Sequence, residues 1–141
     1  MAQPDLEHLA QALREFAGGL LRSTRTDLLS RTAASTLSWL SREGAMRITT
    51  LAEREAVTQP AMTGLVQRLE AAGLVSRKAD ARDGRAALID ITPRGREMLE
   101  RRRAAQDAVI IDRLAGLSPD ELAAVEAALP ALYNVTELHV V

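Results

Sequence analysis

The chain has 141 residues, with 18 basic and 19 acidic side chains and a formal net charge of −1. Hydrophobic residues make up 47% of it and charged residues 26%, globular proportions that exclude intrinsic disorder and a collagen-like fibre. Because the chain contains no cysteine, disulfide scaffolds, thiolate metal sites and thiol-based redox sensing are excluded as well. Aromatic residues make up only 2%, so we expect one mainly α-helical domain with an aliphatic core.

Charge is distributed unevenly along the chain. Residues 46–103 carry twelve basic and eight acidic side chains, whereas residues 104–141 carry one basic and six acidic. Lys78 is the only lysine, and arginine is the better side chain for bidentate contacts with phosphate or guanine. A basic central segment indicates a surface that faces a polyanion, although a GC-rich genome would explain most of the arginine bias.

Three helices are predicted in the first part of the chain. Leucine and phenylalanine recur every three or four residues over 6–20, which predicts an amphipathic helix with an apolar seam. Residues 33–42 form a second predicted helix that stops at Gly44. A short third helix is expected to begin near Thr50, because Thr50 and Glu53 match a capping box.

A helix-turn-helix and a β-hairpin are predicted next. Thr58 suits the N-cap of a fourth helix that Gly73 ends, and residues 56–58 join it to the third helix. Residues 74–78 and 86–92 match two strands, and the Asp-Gly pair between them predicts a tight hairpin. A helix-turn-helix followed by a hairpin is a winged helix.

Two further helices are predicted after the hairpin. Thr92 and Pro93 start a long helix that ends at Gly116. Ser118 begins the start signature of the last helix, which Pro130 should kink or bring to an end. The apolar stripes of the terminal helices exceed what one small winged-helix core can cover, so we expect an obligate homodimer.

This order of elements resembles the MarR (multiple antibiotic resistance regulator) family of bacterial transcription factors over essentially the whole chain. The matching blocks are residues 51–54, 57–60, 65–75, 80–85 and 92–95. The last two blocks resemble the wing motif and the start of the long dimerisation helix of that family. The sequence departs from the family at Ala56, where glycine is usual, and at Gly64, which is often an arginine or another polar residue.

The resemblance implies a mainly α (α+β) fold, with a winged helix-turn-helix core and N- and C-terminal dimerisation helices. In a single domain of residues 1–141, residues 33–92 would form the DNA-binding lobe. Residues 1–22 and 93–141 would form the helical dimerisation region. The resemblance also implies a transcriptional regulator, a repressor by expectation, which small aromatic or phenolic ligands release from DNA.

One face of the fourth helix is the candidate for contact with DNA bases. Four apolar residues take the opposite face, and glutamine and threonine can bind base edges without burying a full charge. The alternative is an ordinary solvated helix face. The candidate residues on this recognition helix are Thr58, Gln59, Pro60, Thr63, Gly64, Gln67 and Arg68.

The hairpin and the neighbouring basic residues supply further candidates. Arginines at the hairpin tip can enter a narrow minor groove, with Asp80 and Asp83 holding the guanidinium groups in position. The alternative is a surface hairpin with local salt bridges, and we expect one arginine to be structural and the other to reach DNA. The wing candidates are Arg82, Asp83, Gly84 and Arg85. The phosphate candidates are Arg54, Arg68, Arg77 and Lys78.

Two functions from different classes remain open on the sequence alone. The first is a homodimeric regulator whose partner is double-stranded DNA, and the second is a winged-helix module that binds another protein. The chain shows no catalytic constellation, no cofactor motif and no metal cluster, so we expect no enzyme. Trp39 is expected to belong to the core rather than to a ligand pocket. With no signal peptide and no apolar run long enough for a membrane span, we expect a cytoplasmic protein.

Overall fold

The computed structural model describes residues 2–136, which fold into helices and one two-stranded antiparallel sheet. In chain order the elements are α1 (Leu6–Ser23), α2 (Arg31–Glu43), α3 (Ile48–Glu55), α4 (Gln59–Ala71), β1 (Val75–Ala79), β2 (Ala87–Ile91), α5 (Pro93–Ala115) and α6 (Pro119–Thr136). The mainly α, winged helix-turn-helix fold is therefore confirmed. The last part of the predicted dimerisation region, residues 137–141, lies outside the described residues, as does residue 1.

The chain forms two compact units, the first ending at Gln106 and the second beginning at Asp107. The core lies in the first unit, where α2, α3, α4 and the sheet bury their apolar faces together. Its largest fully buried apolar side chains are Leu37, Leu40, Leu51, Met62, Val66 and Ile89. Among the described residues, no helix is long and apolar enough to cross a membrane.

The start of α3 differs from the prediction. The helix begins at Ile48 with Arg47 at its N-cap, and no side chain among the described residues caps it, so the expected capping box at Thr50 and Glu53 is wrong. Met46 explains the earlier start because it forms a β-bridge to Ile89, with N–O distances of 2.9 and 2.7 Å. The chain is therefore extended up to Met46 and turns into the helix directly afterwards.

The junction between α4, the sheet and α5 is closed by Thr92. Its hydroxyl donates a hydrogen bond to the carbonyl oxygen of Gly73 at 2.6 Å and accepts one from the amide of Gly95 at 3.0 Å. Gly73 itself has φ +75°, a left-handed conformation that glycine adopts without strain. The predicted end of α4 and the predicted start of α5 are both confirmed.

The last helix begins as predicted and ends later. Ser118 and Glu121 form a reciprocal capping box, each side chain accepting a hydrogen bond from the other residue's amide, at 2.8 and 3.2 Å. Pro130 lies inside the helix, which continues to Thr136, so an end at Pro130 is wrong. Every residue of α6 is at least partly exposed, so water can satisfy the carbonyl group that proline leaves without a donor.

Candidate nucleic-acid interface

The turn of the helix-turn-helix holds α4 at a fixed angle to α3. Ala56 has φ +52°, which is left-handed and costs an alanine about 1–2 kcal/mol relative to the right-handed region. Its amide donates to the carbonyl groups of Ala52 and Glu53, and these hydrogen bonds close the end of α3. Thr58 then caps α4 by accepting a hydrogen bond from the amide of Ala61 at 3.3 Å. Alanine thus occupies the conformation for which glycine is usual.

The recognition helix, α4, divides into a buried and an outer face. Met62, Leu65, Val66 and Leu69 are buried, as the periodicity predicts. The remaining candidates lie on the outer and lateral sides, where Thr63 and Gly64 are half-buried and the others are exposed. The exposed candidates of α4 and its cap are Thr58, Gln59, Pro60, Gln67 and Arg68.

Arg68 lies across the position of the missing side chain at Gly64. A Cβ atom at Gly64 would be 3.5 Å from Nη1 of Arg68, so the guanidinium group extends one turn toward the helix N-terminus. The guanidinium group of Arg68 forms no hydrogen bond or ion pair with any residue that the structure describes. The glycine therefore leaves room for a free cation on the outer side of the recognition helix.

The wing consists of β1, β2 and the loop 80–86 that connects them. Ala79 pairs with Ala87 at the loop end of the sheet, so the connection has seven residues, as many as the predicted strands leave between them. The tight turn is present one residue later than predicted: the amide of Ala86 donates to the carbonyl oxygen of Asp83 at 3.0 Å, which places Gly84 and Arg85 at its centre. Two aspartates organise the loop: the side chain of Asp80 accepts from the amide of Arg82 at 2.9 Å, and that of Asp83 from the amide of Arg85 at 3.1 Å. Each aspartate thus stabilises its own local turn.

The wing arginines are exposed, together with Asp83 and Gly84 between them. The guanidinium groups of Arg82 and Arg85 form no hydrogen bond or ion pair within residues 2–136. The expectation that Asp80 and Asp83 hold these groups is therefore wrong, because both carboxylates bind backbone amides instead. The arginine side chains remain free to meet a ligand.

Arg47, which the sequence did not suggest as a functional residue, binds the second carboxylate oxygen of Asp80. Its Nη2 and Nε donate to Oδ2 of Asp80 at 2.6 and 3.0 Å. The Arg82 amide and the Arg47 guanidinium together lower the pKa of Asp80, and the same hydrogen bond raises the pKa of Arg47. Since the two partners are 33 residues apart in the chain, no local pattern could have predicted the pair.

Three of the phosphate candidates are paired with carboxylates. Arg54 binds Glu43 at 2.9 Å, Arg77 binds Glu70 at 2.9 Å and Lys78 binds Asp90 at 2.6 Å. The hydrogen bond from Lys78 lowers the pKa of Asp90. Surface pairs of this kind contribute about 1 kcal/mol or less, so each cation can exchange its carboxylate for a phosphate.

Trp39 lies beside one of these pairs and packs against the core as a half-buried side chain. The centroid of its ring is 4.7 Å from the guanidinium carbon of Arg54 and 4.9 Å from that of Arg42. The indole ring therefore contacts two cations. Trp39 thus lies at the edge of the core and not within it, so the expectation that it belongs to the core holds only in part.

Gln59 and Arg77, from the recognition helix and the wing, meet at one groove. The groove has a volume of about 340 Å³ and is also lined by Arg47, Ile48 and Thr49 at the start of α3. Its walls thus come from α3, α4 and the wing, the three elements of the candidate interface. The groove carries two arginines and no acidic lining residue among those described.

Comparison with known proteins identifies similar regulators. A model of the MarR family matches residues 29–87. An uncharacterized HTH-type transcriptional regulator of Mycobacterium leprae is 34% identical over 93 residues, which make up 66% of this chain and 65% of that protein. The chain thus matches slightly less than two thirds of the length of this curated relative.

Solved structures extend the likeness to almost the whole chain. A transcriptional regulator of Thermotoga maritima has a TM-score of 0.80 and 27% identity, covering 93% of this chain and 95% of that one. The PcaV regulator of Streptomyces coelicolor, solved with its natural ligand, has a TM-score of 0.58 and 24% identity, covering 96% and 99%. The second likeness concerns the fold alone.

Proposed function

The chain belongs to the MarR family of HTH-type transcriptional regulators, and from this premise we propose that it is a homodimeric repressor that binds double-stranded DNA. The observation that carries the proposal is the division of α4: one face is buried in the core, and the other presents glutamine, threonine and a free arginine. These side chains suit base edges in a major groove.

In this proposal α4 enters the major groove and the wing lies over an adjacent minor groove. Gln59, Thr63 and Gln67 contact base edges, and Arg68 supplies a positive charge that no protein carboxylate within the described residues neutralises. Arg82 or Arg85 of the wing enters the minor groove. Arg54, Arg77 and Lys78 bind phosphates and so position the protein without specifying the sequence.

The homodimer is supported by apolar side chains that the described structure leaves exposed. In α1, Leu6 is 76% and Phe16 is 60% exposed, and in α6 the valine and leucine stripe is likewise exposed. Exposed apolar patches of this kind mark protein interfaces. A second copy of the chain covers both patches, and the dimer presents two recognition helices to two half-sites about 34–36 Å apart.

A small aromatic acid is the proposed effector class. A cavity of about 470 Å³ lies beside α4, lined mostly by apolar side chains such as Leu69 and Met98, by two arginines, Arg68 and Arg94, and by one acidic residue, Asp27. Its volume is within the usual range for ligand pockets, and the excess of positive over negative lining charge suits a carboxylate or phenolate. PcaV, which shares the fold, binds a natural ligand.

A gel shift tests the DNA-binding proposal. The probe is the region upstream of the protein's own gene, and the control is a shuffled fragment of equal length and base composition. We expect a shift of the upstream fragment at nanomolar protein that excess shuffled DNA does not abolish. If excess shuffled fragment abolishes the shift as well as excess upstream fragment does, sequence-specific binding is contradicted and the protein-interaction alternative is favoured.

A further inference from the structure

We propose that Arg47 is a positioning residue for the wing, which holds Arg82 through Asp80 in the place where it meets DNA. The inference rests on the proposed function, because it assumes that a wing arginine contacts DNA. It also identifies Arg82, and not Arg85, as the wing arginine that contacts DNA.

The contacts form a chain of three residues. Arg47 donates two hydrogen bonds to Oδ2 of Asp80, and the amide of Arg82 donates to the other oxygen, Oδ1. The side chain of Asp80 is only 11% exposed, against 43% for Arg47, so the carboxylate is enclosed by its donors. With both oxygens occupied, Asp80 has little freedom to rotate, and the backbone of Arg82 is fixed with it.

The chain of contacts joins two parts of the lobe that are distant in sequence. Arg47 is the N-cap residue of α3 and directly follows Met46, which the β-bridge to Ile89 attaches to the sheet. Asp80 is the first residue of the wing loop after β1. The pair therefore ties the loop to the entrance of the helix-turn-helix, in addition to the strand pairing that ends at Ala79 and Ala87.

The second aspartate of the loop provides an internal comparison. Asp83 accepts a hydrogen bond from the amide of Arg85, as Asp80 does from that of Arg82. No side chain among the described residues donates to Asp83, so this turn lacks the second attachment. Arg82 is thus the arginine whose backbone is attached to the helix-turn-helix, whereas the turn at Asp83 is closed within the loop, by the amide of Ala86 on the carbonyl oxygen of Asp83 at 3.0 Å.

A double-mutant cycle on DNA binding tests the proposal, with the upstream fragment as the probe. We expect Arg82→Ala to weaken binding by about tenfold or more. Arg47→Ala and Asp80→Asn should each weaken it to a similar extent, and adding either to Arg82→Ala should change the affinity by less than about twofold. The matched control is Arg77→Ala, which also breaks a surface ion pair. The fold-losses of DNA affinity caused by Arg77→Ala and by Arg82→Ala should multiply in the double variant, because the two residues act independently.

Amide hydrogen exchange in the free protein supplies a readout that does not depend on DNA. The Arg82 amide should exchange several-fold faster in Arg47→Ala and at the wild-type rate in Arg77→Ala. An unchanged exchange rate in Arg47→Ala overturns the inference, as do multiplicative effects of Arg47→Ala and Arg82→Ala on binding. If the wild type binds no DNA while exchange is faster in Arg47→Ala, the proposed function fails and the attachment of the wing by Arg47 stands.

Discussion

A methyl group on Gly95 would lie 2.2 Å from the carbonyl oxygen of Leu74. The first turn of α5 therefore packs directly on the backbone between α4 and β1, at a distance that no Cβ atom tolerates. The Cγ1 atom of Ile91, 2.8 Å from the same position, closes the site from the other side. Only glycine fits, and the contact sets how the wing and the recognition helix join the long helix.

Replacing this glycine should destabilise the protein. We expect Gly95→Ala to lower the free energy of unfolding by about 1–3 kcal/mol, because backbone atoms on one side cannot move away cheaply. Urea denaturation followed by circular dichroism measures the change. Gly84→Ala is the control, since no atom lies within 4 Å of its Cβ position, and it should change stability by less than about 0.5 kcal/mol. Equal stability of the two variants would contradict the packing.

The buried hydroxyl of Thr36 should lower stability. Thr36 is fully buried in α2, and its Oγ1 finds no hydrogen-bond partner within residues 2–136. Thr36→Val keeps the shape of the side chain and removes the unpaired hydroxyl group. We therefore expect the free energy of unfolding to rise by about 1–2 kcal/mol. Thr24→Val is the matched control: that hydroxyl donates to the carbonyl oxygen of Leu20 at 2.8 Å, and its loss should reduce stability. Losses of stability in both variants would show that Thr36 has a partner.

Stability should fall in acid because of two wing carboxylates. The pKa values of Asp80 and Asp90 lie below the ordinary value of 3.8 in the folded protein, so their stabilisation is complete above that pH. It is lost as the pH falls through the folded values, when the carboxylates take up protons and release their donors. Asp90→Asn and Lys78→Met should both flatten the decline in unfolding free energy below about pH 4. If the unfolding free energy of both variants falls with pH as steeply as that of the wild type, the assignment of acid sensitivity to the pair of Asp90 and Lys78 is contradicted.

The sequence predicts most of this fold because its signals are local. Capping by Thr58 and the capping box at Ser118 and Glu121 depend on residues three apart, and both are observed. The errors arise where distant parts meet: the bridge of Met46 to Ile89 moves the start of α3, and Asp80 binds Arg47 instead of a wing guanidinium. The Asp-Gly signal, which is local, places the turn of the hairpin within one residue, because the carbonyl oxygen of Asp83 accepts a hydrogen bond from the amide of Ala86.

Dimerisation should depend on the exposed face of α1. Phe16→Asp places a charge among apolar side chains and should shift the protein toward a monomer of 15.3 kDa in light scattering at micromolar concentration. Gln11→Asp adds the same charge on the opposite, polar side of the helix and should leave the dimer intact. A wild-type protein that is monomeric under these conditions would contradict the homodimer.

The most direct test of DNA binding through α4 is a fluorescence anisotropy titration of the upstream fragment at several salt concentrations. The wild type should bind at least about 1,000-fold tighter than to a shuffled fragment. Arg68→Ala should weaken binding and reduce the salt slope by about one, and Gln67→Ala should lose about 1–3 kcal/mol of discrimination at a particular base pair. The control Arg101→Ala, on α5 and paired with Glu97 at 3.3 Å, should bind as the wild type does. Equal affinity of the wild type for both fragments, or wild-type binding by both Arg68→Ala and Gln67→Ala, would contradict recognition of DNA by this helix.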